Sequence, residues 1–450
     1  MTVKGAIATN RFGLGAKPGE IALAAQLPED RILSELEPGA APKIDLKSPL
    51  SSQQILLEID DNRLKARQSG DADRRSIQRS LRRRVNLLFL SEVEARIKHA
   101  ATTTASFHER LVRFWSNHFS ISAQGLEMRA LAGAYEREAI RPHILGKFED
   151  LAAQAVFHPA MMIYLDNRHS IGPSTRHARA TGSGLNENLA REVLELHTVS
   201  PAAQYTQADV EAFAKALTGW TIAKAWKGRS EQGRTSFVPA FHEPGPQTLL
   251  RRRYGDDGAN QAKSILLDLS AHPATARHVA TKLARHFVSD DPPVSLIDRL
   301  SERFIETGGD LKAVYTALVA SPEAWTSSPE KIKTPDELLI STARLIGMEK
   351  TFDGGIQKIY TSFGQRPFLA PSPEGWPDQS NAWLGPDAVT KRIEWANDLA
   401  IRHTGLDARE FLVTGLSERM SPRTLRLVAE APTGADAMVL ALMSPDFQRR

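Results

Sequence analysis

No cysteine occurs anywhere in the 450 residues. That excludes disulfides, cysteine nucleophiles and thiolate metal sites, and it removes one objection to export. Long hydrophobic runs are missing too: no stretch approaches the roughly 20 apolar residues a bilayer span needs. The net charge is only +4, and a nucleic-acid protein should carry a large basic excess on one surface. The first twenty residues, MTVKGAIATNRFGLGAKPGE, hold one early lysine and a short apolar patch before Arg11, with no signal-peptide core and no twin-arginine pair. Cytoplasmic residence is therefore the expectation, with the periplasm as the alternative. A Gly-rich phosphate loop, a His-Glu-x-x-His pair and a Gly-x-Ser-x-Gly elbow are all lacking. Gly13 and Gly15 follow no strand, so they make no dinucleotide fingerprint.

What the chain does contain is helical periodicity. Apolar content of 41% against 24% charged is globular. Apolar residues recur at i, i+3, i+4 and i+7, and alternating β-branched runs are almost absent. The spacing predicts helices near 18–37, 51–69, 72–99, 104–119, 126–143, 147–154, 159–166, 186–198, 206–218, 258–269, 273–288, 294–307, 310–319, 322–326, 335–347, 387–402 and 435–443. The expected fold is mostly α, a large multi-helix globular assembly with long ordered loops and little or no β-sheet. Three regions are expected to form one continuous fold: an N-terminal helical region 1–103, a motif-rich core 104–330 and a C-terminal helical region 331–450.

Proline punctuates the helices. His158-Pro159, His272-Pro273, Ser321-Pro322 and Ser444-Pro445 each place a polar cap before proline at the first helical position, where its missing N–H costs nothing. Residues 167–185, 222–257 and 350–386 read as loops, long enough to serve as lids or binding segments; the last should pack as ordered coil, since Trp376 and Trp383 need cover.

Chemistry concentrates in residues 186–221. At 100° per residue, Asn188, Glu192 and Glu195 fall within about 60° of one another, with Arg191 at the edge. Such a face suits acid–base work or half of a divalent-metal site, and equally a plain polar face. His197 lies about 180° from Asn188 on an undistorted helix, so it joins a metal set only if the helix ends or distorts. His118 shares a stripe with Phe107, Leu111 and Phe114 while Glu109, Arg110 and Arg113 lie opposite; it reads as a core histidine bonded to backbone, or as the partner of Glu192 and Glu195. His278, Lys282 and Arg285 form a basic stripe that reads as solvated, as matched to the acidic face, or as a place for an anion. His242, beside Glu243 in a loop, is a further site candidate. The arginines from Arg74 to Arg84 read as a solvated helix face or a contact for an acidic partner.

Several segments together resemble one bacterial family. They are Asn10-Arg11-Phe12-Gly13-Leu14-Gly15, Phe114-Trp115-Ser116-Asn117-His118-Phe119, His158-Pro159-Ala160-Met161 through Asn167, Asn186 through Glu192 with Glu195-Leu196-His197-Thr198, Tyr205-Thr206-Gln207, and Leu217-Thr218-Gly219-Trp220-Thr221. The family is one of unknown function, numbered 1800, and the resemblance runs from about residue 7 to the C-terminus. The turn Val199–Gln204 departs from its glycine-containing pattern. The resemblance implies a partner from a second uncharacterised family, numbered 1501, of exported sulfatase-like proteins. Two readings follow. The first is a helical scaffold or maturation partner for such a protein. The alternative is a hydrolase on a polar cell-envelope or carbohydrate substrate, with Glu192, Glu195 and His118 catalytic and a divalent metal as the cofactor such a set would take.

Overall fold

A computed structural model describes residues 2–450. It is 64% helical with 4% strand, a mostly α protein as the periodicity predicts. One apolar cluster runs from Ile7 to Phe447 and draws on all three regions.

The proline positions act as caps. His158 Nδ1 accepts from the Ala160 amide at 3.0 Å, His272 Nδ1 from Ala274 at 3.1 Å and Ser444 from Phe447 at 3.2 Å. Each satisfies an amide that the first helical turn leaves without a partner. Ser321 departs from the pattern: its hydroxyl turns back to the Ala317 carbonyl.

The longest helix, Asp71–Thr102, carries its arginines at 74, 75, 79, 82, 83 and 84 exposed, as read. It leads into the central helix Ser106–His118, where Phe107, Leu111, Phe114, Trp115 and His118 are buried. The opposite face is covered as well. Glu109 and Arg110 are buried against other helices, so charge on one face of the period does not mean solvent here. Around this helix stand Gly125–Tyr135, which ends in a π turn Glu136–Ile140, and the helices Pro273–Phe287 and Pro335–Ile346.

Several expectations need correction. The helix expected over 18–37 is two, Glu20–Ala24 and Pro28–Ser34, because Pro28 starts a new first turn. The loop 222–257 holds strand pairings: Trp220–Ile222 with Thr235–Phe237, and Gln247–Leu249 with Arg252–Tyr254. The second is a two-residue hairpin with Leu250 at φ 47° and Arg251 at φ 66°, so both turn residues sit in the left-handed region without the Asn-Gly that usually signals it. The loop 167–185 contains a short helix, Arg176–Thr181, capped by Thr175; the stretch 350–386, expected as coil, holds the helix Ile356–Ser362, and the helices Ala408–Leu416 and Pro422–Ala429 stand where none was expected.

Candidate functional site

The helix bearing Asn188 and Glu192 passes into a π turn, Val193–His197. That distortion rotates its end, and His197 enters the core rather than the acidic face. His197 Nδ1 donates to the His118 carbonyl at 3.0 Å while His118 Nε2 donates to the His197 carbonyl at 3.1 Å. His278 Nε2 donates to the Leu196 carbonyl at 3.0 Å, and Thr198 Oγ1 to the Val193 carbonyl at 2.7 Å. The last carbonyls of a helix have no partner within it; here two histidines and a threonine supply them. Burial holds His118 well below the ordinary imidazole range, His197 down at about 3 and His278 at about 4, with the Lys282 charge adding to the effect. All three rings are therefore neutral at neutral pH.

Glu192 and Glu195 stand elsewhere. Glu192 is half-buried and has no hydrogen bond or ion pair among the described residues; burial, then the Glu195 charge, raises its pKa. Asn188 is exposed, its amide donating to Asn186 Oδ1 at 2.9 Å. Arg191 is held by Glu187 at 2.8 Å and Gln207 at 3.0 Å. The His118 ring packs among Trp115 and Phe119, and its imidazole neighbours are His197 and His278, at centroid distances of 5.9 and 6.0 Å. His242 donates from Nδ1 to the Thr218 carbonyl at 2.9 Å, and neighbouring Glu243 accepts from the Ser174 amide at 2.9 Å, so this pair pins one loop to another. Arg285 donates to the Asp290 carbonyl at 3.2 Å. Among the described residues no group of three or more His, Asp or Glu side chains is arranged to hold a metal ion, so His197 finds no companion ligands.

The enclosed space lies beyond that face. A cavity of about 120 Å³ opens between the helices Ser106–His118, Pro273–Phe287 and Pro335–Ile346 and the coil over 365–378. His118 and Lys282 line it, and so do several residues the periodicity did not single out: Asn117, His286, Asp336, Glu337 and Asp378. Nearly every charge there is matched. Glu337 meets Arg110 and, at 2.7 Å, Arg450; burial pushes its carboxyl up, but the Arg450 and Arg110 guanidinia outweigh that and hold it well below the usual carboxylate range. Asp336 takes Arg113 and the Tyr360 hydroxyl, the latter at 2.7 Å. Glu136 accepts from Arg96 at 2.7 Å, Arg141 at 2.8 Å and Ser116 at 2.9 Å. Burial again opposes ionisation, yet Arg96 and Arg141 bring its pKa down to about 2.

Two features are different in kind. His286 Nδ1 donates to Asp378 Oδ1 at 2.9 Å, leaving Nε2 3.4 Å from Arg110 Nη1. Burial lowers the imidazole against the pull of Asp378, and His286 in turn helps keep the buried Asp378 ionised. Lys282, one turn earlier on the same helix, has no hydrogen bond or ion pair among the described residues; burial lowers its pKa, which Asp378 and Glu374 partly restore. Of the expected basic stripe, Lys282 lines the cavity, while His278 and Arg285 are held by backbone carbonyls away from its lining. Asn117 fixes the coil that carries Asp378: its Nδ2 donates to the Trp376 carbonyl at 2.9 Å and its Oδ1 accepts from the Trp376 amide at 2.8 Å. Gly375, at φ 89°, lies so close that a Cβ would come within 2.6 Å of Asn117.

The chain belongs to the family of proteins of unknown function numbered 1800 (DUF1800), whose model matches residues 7–449. No curated protein and no solved structure matches it.

Proposed function

We propose that the cavity is an acid–base active site for a small anionic substrate, with hydrolysis as the reaction class. The observation that carries this is the His286–Asp378 pair beside a lysine that lacks a partner. With Nδ1–H committed to Asp378, His286 carries its lone pair on Nε2, which accepts from Arg110 Nη1 at 3.4 Å and which a substrate water must take over. In hydrolysis that nitrogen takes a proton from water as the water oxygen bonds to the electrophilic centre, and the imidazolium then returns the proton to the departing group. Asp378 orients the ring and stabilises its charged form. Lys282 holds the anionic end of the substrate. The volume of about 120 Å³ falls below the roughly 300–1,000 Å³ of drug-sized sites, so a small molecule or one terminal group enters, not a whole oligosaccharide.

The test is a hydrolysis screen over small anionic esters, amides, phosphates and sulfates. His286→Gln should remove turnover and Lys282→Met should raise KM for the anionic members. Turnover that survives His286→Gln sinks the assignment, and Glu192→Gln in the same screen shows whether the acidic face contributes as acid, base or metal ligand.

A second reading, a scaffold or maturation partner for an exported sulfatase-like protein of the family numbered 1501, is favoured by a different observation. Glu109, Glu136, Asp336 and Glu337 are all locked into ion pairs between helices, while Glu192 is left partnerless on a half-exposed face. Co-purification that is lost in Glu192→Lys and kept in His286→Gln would support it. That partner would put the chain in the periplasm.

A further inference from the structure

The protein has a second concave site, a groove of about 810 Å³ that shares no lining residue with the cavity. Three elements form it. The helix Phe148–Val156 and the residue after it give Asp150, Gln154 and Phe157, at i, i+4 and i+7 on one face. The helix Ala259–Ala271 gives Lys263, Leu266 and Leu267, at i, i+3 and i+4. The two-stranded ribbon is the third wall. Trp220 pairs with Phe237 and Ile222 with Thr235, so the pleat puts Trp220 and Thr235 on the same side.

Two buried polar atoms in that wall are unanswered. Trp220 is 8% exposed and its indole N–H has no acceptor, while the Thr235 hydroxyl is buried and also lacks a partner. Buried polar groups are nearly always bonded. Phe157 lies 4.7 Å from the Trp220 ring and Lys263 Nζ stands over it at 5.2 Å, so the N–H is what this residue has left to offer a ligand. His158 lines the groove too, but both its nitrogens are committed. Nδ1 accepts from the Ala160 amide, and Nε2 donates at 3.0 Å to Glu138, which Ser52 also holds. That imidazole has no lone pair left for acid–base work.

The lining carries charge of both signs. Glu149 and Asp150 have no hydrogen bond or ion pair among the described residues, and Lys263 and Arg234 stand in the same groove, the latter donating to Gln53 at 3.0 Å. Such a set favours neither an anion nor a cation. It suits a neutral ligand dense in hydroxyls, because a hydroxyl donates to a carboxylate and accepts from an ammonium or an indole N–H. Leu267, 50% exposed, adds an apolar surface beside Phe157.

We propose that this groove binds a short neutral oligosaccharide. Glu149 and Asp150 accept from its hydroxyls, Trp220 Nε1 and Lys263 donate to them, and Leu267 and Phe157 cover the C–H side of a sugar ring. The volume lies in the range of roughly 300–1,000 Å³ usual for ligand sites, so a chain of sugars fits here where the cavity admits one terminal group. Binding in the groove needs no turnover at His286.

The whole chain, fluorescently labelled, is applied to an array of neutral and acidic oligosaccharides, with an array of unrelated peptides in parallel. Neutral oligosaccharides of two or more units should be retained, and acidic ones far less. Asp150→Ala and Lys263→Ala alter exposed side chains, so they should fold as the unaltered protein does by circular dichroism. Each should weaken retention roughly tenfold, the size of one charge-assisted hydrogen bond. Trp220→Phe, which keeps an aromatic ring and removes the N–H, should weaken it as well. No neutral oligosaccharide retained, acidic ones retained as strongly, peptides retained in their place, or retention unchanged in Asp150→Ala and Trp220→Phe would each overturn the proposal.

Discussion

Glu109 and Arg141 meet in a two-point contact, 2.6 and 2.9 Å, with the carboxylate completely buried. Arg113 lies 3.6 Å away on the same helix and His99 at 3.5 Å. Burial pushes the Glu109 carboxyl up, and Arg141 more than reverses it. Removing one partner of such a pair strands a buried charge, at a cost of about 3–5 kcal/mol. Glu109→Gln should therefore lower unfolding free energy by that amount in urea titration, with turnover at the cavity lost only through unfolding. A change below about 1 kcal/mol would mean that water reaches this pair.

The reciprocal bonds between His118 and His197 give a separate expectation. If these rings cap the π turn, then His118→Phe should cost about 1–3 kcal/mol, the price of leaving the buried His197 carbonyl unsatisfied. His118→Gln, whose amide can still donate, should recover part of it. Equal losses in the two variants would point to ring packing against Phe114 and Phe119 instead of the hydrogen bond.

Helix positions were legible because a 3.6-residue period writes itself into composition, and the solvated arginines of residues 74–84 were read as they stand. The site was not legible for two physical reasons. Periodicity distinguishes the two faces of a helix but cannot say that the polar face is also covered, as it is at Glu109 and Arg110. Nor can it foresee a π turn, which sent His197 inward toward His118. His286 was within reach, one helical turn past Lys282 on a stripe already under suspicion. Asp378 was not, since it lies in aperiodic coil fixed by Asn117 from 259 residues away in sequence.

The Leu250–Arg251 turn carries avoidable backbone strain. Arg251 is exposed and sits at φ 66°, a conformation costing roughly 1–2 kcal/mol for a residue with a Cβ, which glycine adopts freely. Arg251→Gly loses part of that gain to chain entropy, so a stabilisation of about 0.5–1 kcal/mol is expected in thermal unfolding. Arg251→Val, at the same position, should destabilise, because a β-branched chain tolerates the left-handed region least.

The buried neutral histidines set an acid limit on stability. His197 at about 3 and His278 at about 4 lie below the ordinary value near 6.5 of an unfolded chain. Between those values the unfolded state binds protons that the native state refuses, so stability rises with pH across roughly 4 to 6.5 and falls as the solution is acidified. The carboxylates divide: Glu136 at about 2 contributes its loss mainly below the ordinary carboxylate value near 4.3, whereas burial raises Glu35 to about 7, so its proton is held in the native state and it opposes the histidines by up to one proton. Between pH 6.5 and 5 the lowered histidines, His108, His118, His197 and His278, outnumber that one opposing carboxyl and set the sign of the slope. For His278 alone the shift amounts to roughly 3 kcal/mol by pH 4. Urea midpoints measured from pH 7.5 to 4.5 should fall steadily for the wild type. His278→Gln, whose longer amide keeps a donor for the Leu196 carbonyl and cannot titrate, should flatten the slope by close to one proton. An unchanged slope would mean that the ring at 278 takes up its proton in the folded protein, with Glu374 and Asp378 near Lys282 absorbing the charge.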